Sequence, residues 1–420
     1  MYKIYFAIIF CFFITPSFAQ NQFLLEGGKY HIGNGSTLEN AFLLISKGKI
    51  SYIGTQRPAI DAGTQVISCA GKQIYPGFIA LGSTVGLVEI EAVRATVDNR
   101  EVGIFNPNVR SLVAFDAESQ IIPTIRSNGI LMAQSIPSGG VIPGTSSVFN
   151  MDGWNWEDAV FQEDIAIHLN WPERVMFTGW WAEPGGIQKN EQYLKQVAEI
   201  KVFFDQAAAY RQNKQIIEKN LKLESMKALW TGSKRLYIHA NLGNAMMDAI
   251  TFAESYGITP VIVGGKESWI VADFLAEKKI DVILRATHEL PSRQDEAIDQ
   301  PFRTPSVLHA KGVRFALSME GAWKQRNLPF QAGQAIGFGL PYDAALSSIT
   351  GNAAAIAGIG DRVGTLEKGK TATLFVSEGD ALDMLGNQVI RAFIDGRDID
   401  LDNKHKALYR KYKAKYDAEK

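Results

Sequence analysis

From residue 236 to residue 317 the sequence repeats one unit: a short apolar run of strand type, a stretch with helical spacing, then another strand. The strands read LYIHA at 236–240, PVIVGG at 260–265, IDVIL at 280–284 and VRFAL at 313–317. Helical stretches fall between them at 245–256, 268–277 and near 306–310. A helix between consecutive strands calls for a parallel sheet with right-handed crossovers. The number and length of these units suit a closed barrel better than an open sheet. No Gly-x-Gly-x-x-Gly follows the first strand of any unit, which argues against a nucleotide-binding sheet.

The rest of the chain frames this core. Residues 22–69 read as strands joined by turns without intervening helices, among them 24–32, 41–46, 49–53 and 66–69, with Lys47-Gly48 as a hairpin signal. They predict a separate antiparallel sheet, with His31 on an edge strand at the surface. Residues 75–86, YPGFIALGSTVG, begin with a Pro-Gly turn. A buried run follows and ends in small and polar residues, as a barrel strand does where it opens toward a site. Residues 129–135 form a second buried strand. The Gly- and Ser-rich 138–147 lacks a Gly-Lys-Ser phosphate pattern and reads as a tight turn. His168 lies in the alternating run 165–172, where it either points into a barrel mouth or is a satisfied structural histidine. Trp180-Trp181 and Pro184-Gly185-Gly186 read as an aromatic loop able to cap a pocket, and 190–230 as continuous helix. A basic, Tyr-rich helix ends the chain.

The chain has 420 residues, 46% hydrophobic, with a net charge of -1 and six scattered histidines. That composition allows a large core and gives no basic surface for nucleic acid. Residues 1–20, MYKIYFAIIFCFFITPSFAQ, have a lysine start, an apolar run, Pro16 and the small-x-small Ser17-Phe18-Ala19. This is a secretory signal with Gln20 as the mature start, placing the protein in the periplasm or outside the cell, with no membrane attachment after cleavage. The alternative, an uncleaved anchor, needs a longer apolar run. Cys11 leaves with the signal, so Cys69 forms no intrachain disulfide.

Two stretches carry a resemblance to the amidohydrolase superfamily, especially its imidazolonepropionase-like members. Residues 76–86 resemble that family's first barrel strand, Pro-Gly-Phe-Ile-Asp-x-His-x-His-x-Gly. Here Ala80 stands for the Asp, and Gly82 and Thr84 for the two metal-binding histidines. The closing run, ITGNAAAIAGIGDRVGTLEKGKTATLFV, is similar to the family's Thr-x-Asn-Pro-Ala and Gly-x-Leu-x-x-Gly-Lys-x-Ala-Asp. Thr350, Asn352, Ala354, Gly364, Leu366, Gly369, Lys370 and Ala372 match, and Thr373 replaces the Asp. The resemblance implies a TIM-like (β/α)8 barrel with a small β-sandwich made from both chain ends. The boundaries are 1–19 signal, 20–75 first sandwich part, 76–362 barrel, and 363–420 second sandwich part with the terminal helix.

In that superfamily, zinc or a similar metal is held by two first-strand histidines, one histidine each from strands five and six, and an eighth-strand Asp that also serves as base. Some members add a carboxylated lysine. Carried over, the resemblance puts His239 at the fifth-strand position, the ligand-free Gly264 at the sixth and Glu320 in place of the Asp. His239 and Glu320 are therefore the candidate metal ligands. Glu320, Thr84 and Lys266 are the candidate catalytic groups, Glu320 as base. Two ligands fall short of the usual three for a catalytic zinc, so at most one weakly held metal is expected. The plain alternatives are a core role for His239 and a rim ion pair for Glu320 with Arg285 or Lys266. Two functions remain open: a hydrolase of non-peptide C–N bonds in cyclic amides or similar molecules, with a degenerate metal centre, or a catalytically silent relative. The silent relative would bind a small molecule at the barrel mouth, form a homodimer or pair with an active relative.

Overall fold

The computed structural model describes residues 22–180, 182–213, 215–285, 287–291, 293 and 295–418. The signal reading at 1–20 and Trp181 of the aromatic loop lie outside the described residues.

Eight strands form one closed sheet in chain order. They are β1 (Phe78–Ser83), β2 (Ile130–Ser135), β3 (Thr145–Asn150), β4 (Val160–Asn170), β5 (Arg235–Ala240), β6 (Val261–Gly264), β7 (Asp281–Arg285) and β8 (Phe315–Ser318). Closure brings β8 against β1, where the Ser318 hydroxyl donates to the Leu81 carbonyl at 2.6 Å. From β4 to β8 the strands run parallel, in the register Asn170↔His239, Ala240↔Gly264, Gly264↔Leu284 and Arg285↔Ser318. The strand–helix repeat thus builds the half of the barrel that its pattern predicts.

The first half departs from strict alternation. β3 runs antiparallel to both β2 and β4. The connection from β2 to β3 contains no helix, and a short link without one cannot return the chain to the start of a parallel neighbour. What reads as a turn at 138–147 therefore extends into the hidden strand TSSVFN. Its leading Thr and Ser residues are buried inside the fold, not solvated.

Side chains two apart on a strand share a face. Ile79, Leu81, Met132, Val148, Tyr237, Val261, Val263, Ile283 and Ala316 pack in one buried cluster with residues 353–363, including helix Gly351–Ala357. The Tyr237 hydroxyl donates to Ile356 O at 2.8 Å and ties this plug to the barrel. One period further along the same faces come Gln134, Ser146, His168, His239, Arg285 and Ser318. A polar layer therefore sits on the apolar one, at the strand ends where such barrels carry their sites.

Both chain ends build two further sheets. One orders Lys49–Gly54, Phe42–Ser46, Phe23–Glu26 and Gln65–Ser68. In the other, Leu374–Ser377 pairs antiparallel with Gln73–Pro76, joining the C-terminal strands to the N-terminal ones. Phe23, Leu25, Leu43, Ile74, Leu374 and Phe393 share one core between them. Not every pair is antiparallel: Phe23–Glu26 runs parallel to Gln65–Ser68, and Lys29–His31 parallel to Gln73–Pro76. His31 is not at the surface. It is 3% exposed, stacked on Tyr75 at 4.4 Å between ring centres and bonded through Nε2 to Gln73 Oε1 at 2.8 Å.

Two other segments differ from the sequence pattern. The helical run splits into Tyr193–Gln212 and Leu221–Thr231, the second opened by Asn220, whose side chain accepts from Lys222 N and Leu223 N. An Asn N-cap starts a new helix where periodicity alone continues the old one. The aromatic segment forms a two-stranded ribbon, Val175–Trp180 with Glu183–Lys189.

Candidate functional site

The polar layer is one connected network. The Gly82 N–H donates to Gln134 Oε1 at 3.0 Å, which turns the Gln134 amide nitrogen toward the Ser146 hydroxyl at 2.8 Å. Ser146 Oγ lies 2.7 Å from His168 Nε2, and His168 Nδ1 lies 2.8 Å from His239 Nε2. Gln134 donates to Ser146, and the Ser146–His168–His239 contacts run in either direction according to the imidazole tautomers. In both directions His239 Nε2 is engaged with His168 Nδ1.

Arg285 gives the layer its charge. Its Nη2 donates to the Gly82 carbonyl at 2.9 Å, and its Nη1 stands 3.9 Å from Glu320 Oε1. The guanidinium is 17% exposed, Glu320 56% exposed, and the Arg285 Nε is buried without a hydrogen-bond partner. A Cβ placed on Gly82 would lie 3.3 Å from Arg285 Nη2, 3.5 Å from its Nε and 3.1 Å from Ser318 Oγ. The guanidinium therefore borders the space that a side chain at position 82 would enter. Burial and this cation bring His168 down to about 3. Burial first, then His168 and Arg285, holds His239 well below the ordinary histidine value. Both imidazoles are neutral at pH 7, while an arginine keeps its proton even when buried.

The sequence candidates fall around this layer in different ways. His239 is inside it. Glu320 follows β8 and reaches Arg285 only at the rim. Thr84 is half-buried at the head of the turn after β1, where its carbonyl accepts from Leu87 N and Val88 N. Lys266 is paired with Glu289 at 2.6 Å and lines a narrow cleft together with Arg285. Gln134, Ser146 and Arg285 carry no site motif in the sequence, and His168 there has two readings. The available signal is an apolar residue followed two places later by a polar one at the strand end: Met132/Gln134, Ala166/His168, Tyr237/His239, Ile283/Arg285 and Ala316/Ser318.

A metal does not fit these residues as they stand. Among the described residues no three His, Cys, Asp or Glu side chains gather to hold an ion. Position 82 and position 264 offer no side chain, and their backbone is at φ +66° and +108°. His239 Nε2 is engaged with His168 Nδ1 at 2.8 Å, and a guanidinium borders the first-strand position.

The mouth above the layer is open. A cavity of about 450 Å³ is bounded by Thr84 on the β1 side and Gly321 on the β8 side, with Glu91, Arg94, Asn99 and Arg100 on its wall. Arg94 bonds to Val97 O and Arg100 to Ser138 Oγ, both neutral acceptors.

A closed eight-stranded barrel with a polar layer at the strand ends, joined to a sandwich drawn from both chain ends, is the architecture of amidohydrolases. The amidohydrolase family profile matches residues 203–399, from the middle of the helix Tyr193–Gln212 through the last sandwich strands. No curated protein matches the sequence. The fold is similar to that of an amidohydrolase from Thermotoga maritima MSB8, with TM-score 0.76 and 22% identity over 90% of this chain and 99% of that one. It is also similar to molinate hydrolase, with TM-score 0.55 and 14% identity over 91% and 96% of the two chains. The third similar structure is A. niger ochratoxinase, with TM-score 0.52 and 13% identity over 90% and 95%.

Proposed function

We propose that this protein has left metal-assisted hydrolysis and uses the amidohydrolase barrel mouth to bind a small molecule. The carrying observation is the Arg285 guanidinium, held on the Gly82 carbonyl at 2.9 Å beside the first-strand position. A zinc site needs about three protein ligands with free lone pairs. Here one ligand position abuts a fixed positive charge and the remaining imidazole is engaged. A dication entering beside Arg285 meets repulsion that a low-dielectric interior does little to screen.

The second reading is hydrolysis of a non-peptide C–N bond. It draws on the family match at 203–399 and on Glu320 at the end of β8, with Thr84 and Lys266 assisting. Solved neighbours of the same fold include proteins named as hydrolases, molinate hydrolase and ochratoxinase among them. Export through the signal at 1–20 belongs to both readings, and mass spectrometry of the mature protein should find Gln20 first.

Elemental analysis of the purified protein, before and after dialysis against zinc, separates the two. The binding reading expects no retained stoichiometric metal and no zinc-dependent turnover of cyclic amides or dipeptides. About one metal per chain, lost in His239→Ala, would overturn it and establish the degenerate hydrolase centre.

A further inference from the structure

Resting on the metal-free reading above, we infer that the ligand at the barrel mouth is a small carboxylate, and that Glu320 is an internal carboxylate it displaces from Arg285. Three observations converge. First, Arg285 is under-satisfied. Nη2 has the Gly82 carbonyl, Nε is buried without a partner, and Nη1 faces Glu320 beyond hydrogen-bond length at 3.9 Å. A guanidinium presents a planar fork of donors that matches a carboxylate in two parallel bonds. Glu320 does not make that match here.

Second, Glu320 is replaceable. Its side chain is 56% exposed, so it recovers hydration when it swings away, and an exposed ion pair of this length contributes little. Third, a cavity opens at the same end of the barrel. Thr84 and Gly321, close in the chain to Gly82 and Glu320, lie on its wall with Arg94, Arg100 and Glu91, while Arg285 itself lines a narrower cleft with Lys266, Glu289 and Glu296. The cavity's volume of about 450 Å³ falls in the range that holds a small organic ligand.

The test is the thermal unfolding midpoint of the full mature protein, titrated at constant ionic strength with sodium benzoate, sodium succinate and the neutral isostere benzamide. Benzoate and succinate should raise the midpoint saturably and benzamide should not. Arg285→Lys keeps the charge and removes the fork, and should weaken carboxylate binding by about tenfold or more. Glu320→Gln removes the internal competitor and should tighten it by about two- to fivefold. If Arg285→Lys fails to fold, the benzoate–benzamide contrast and the sign of the Glu320→Gln effect still decide. Equal effects of benzoate and benzamide, or weaker carboxylate binding in Glu320→Gln, would refute the inference. Elemental analysis of the same samples keeps the two questions apart. A retained metal sinks the metal-free reading itself, whereas a metal-free protein indifferent to carboxylates sinks only this inference.

Discussion

Gly264→His puts an imidazole at the end of β6 and asks whether the barrel can hold a metal. The backbone at Gly264 lies at φ +108°, a conformation side chains rarely adopt. A Cβ there would stand 2.5 Å from Asn241 Oδ1 and 3.1 Å from the Ala240 carbonyl. The Asn241 side chain can rotate, but the Ala240 carbonyl belongs to β5 and accepts from Gly265 N at 2.9 Å. Positive-φ strain costs about 1–2 kcal/mol, and forcing atoms into a packed site adds about 1–3 kcal/mol. The expected loss is about 2–5 kcal/mol, a large share of a typical domain's stability. The assay is urea unfolding of wild type, Gly264→Ala and Gly264→His, each with and without zinc. Gly264→Ala isolates the strain. A zinc site of native quality would return about 2.7 kcal/mol when zinc is at a hundred times its dissociation constant. The geometry predicts that Gly264→His is destabilised like Gly264→Ala and indifferent to zinc. A Gly264→His protein as stable as wild type, or one that zinc stabilises by this amount, would show that the backbone and Arg285 do not close the site to metal.

Three further outcomes follow from the buried groups. His168 is held at about 3, below its ordinary 6.5, so the unfolded chain takes up a proton near pH 6.5 that the folded chain refuses. Stability is therefore full above pH 6.5 and falls as the pH drops toward 3, by about 1.4 kcal/mol per unit for this one group. Urea midpoints from pH 7.5 to 4.5 should show the fall, steepened by His239, and His168→Gln should remove about one proton from the slope. The Tyr342 hydroxyl bonds Asp380 Oδ1 at 2.8 Å and lies 3.2 Å from the Tyr75 hydroxyl. Tyr342→Phe takes one donor from that half-buried carboxylate, which keeps Leu382 N, and should cost about 1 kcal/mol in urea unfolding; no change would mean that water serves Asp380 equally well. Burial pushes the Cys69 thiol up to about 11, so maleimide should label it only after unfolding, with mass spectrometry of the peptide as the check.

The sequence announces the parts of this fold that repeat. Strands β5 to β8 are legible because helices with clear spacing separate them, and the sandwich because glycines near its C-terminal half match one topology. β3 escapes because a strand that opens on Thr145, Ser146 and Ser147, with Ser146 in the polar barrel layer, carries no hydrophobic alternation. The helix break at Asn220 escapes for another reason: a single capping residue interrupts an otherwise continuous period. His31 reads as a surface residue because the stacking and hydrogen bonding that bury it come from Tyr75 and Gln73, on a neighbouring strand 42 and more residues away. In the site, His239 and Glu320 are visible through a resemblance of motif. Arg285 is not, since an arginine at a strand end looks like an ordinary surface charge until closure of the barrel carries it across to Gly82.

That crossing makes the site a single electrostatic unit. The glycines at positions 82 and 264 leave room but do not by themselves decide what fills the barrel. Arg285 decides it, because a fixed positive charge at the Gly82 carbonyl has consequences for each neighbour. It disfavours a second cation beside it. After burial, which is the larger cause, it also disfavours protonation of His168 and His239, and the two imidazoles stand 2.8 Å apart as a neutral hydrogen-bonded pair where two imidazoliums would repel. And it lacks an anion of its own at bonding distance, because Glu320 stops at 3.9 Å. Neutralising Arg285 should therefore act on all three at once. In Arg285→Gln the His168 and His239 values should rise toward the ordinary range, seen as a shallower loss of stability below pH 6.5, while carboxylate binding is lost. Histidine titration that stays unchanged in that variant would show burial alone holding the pair neutral, and Arg285 would then be only a neighbour of the site.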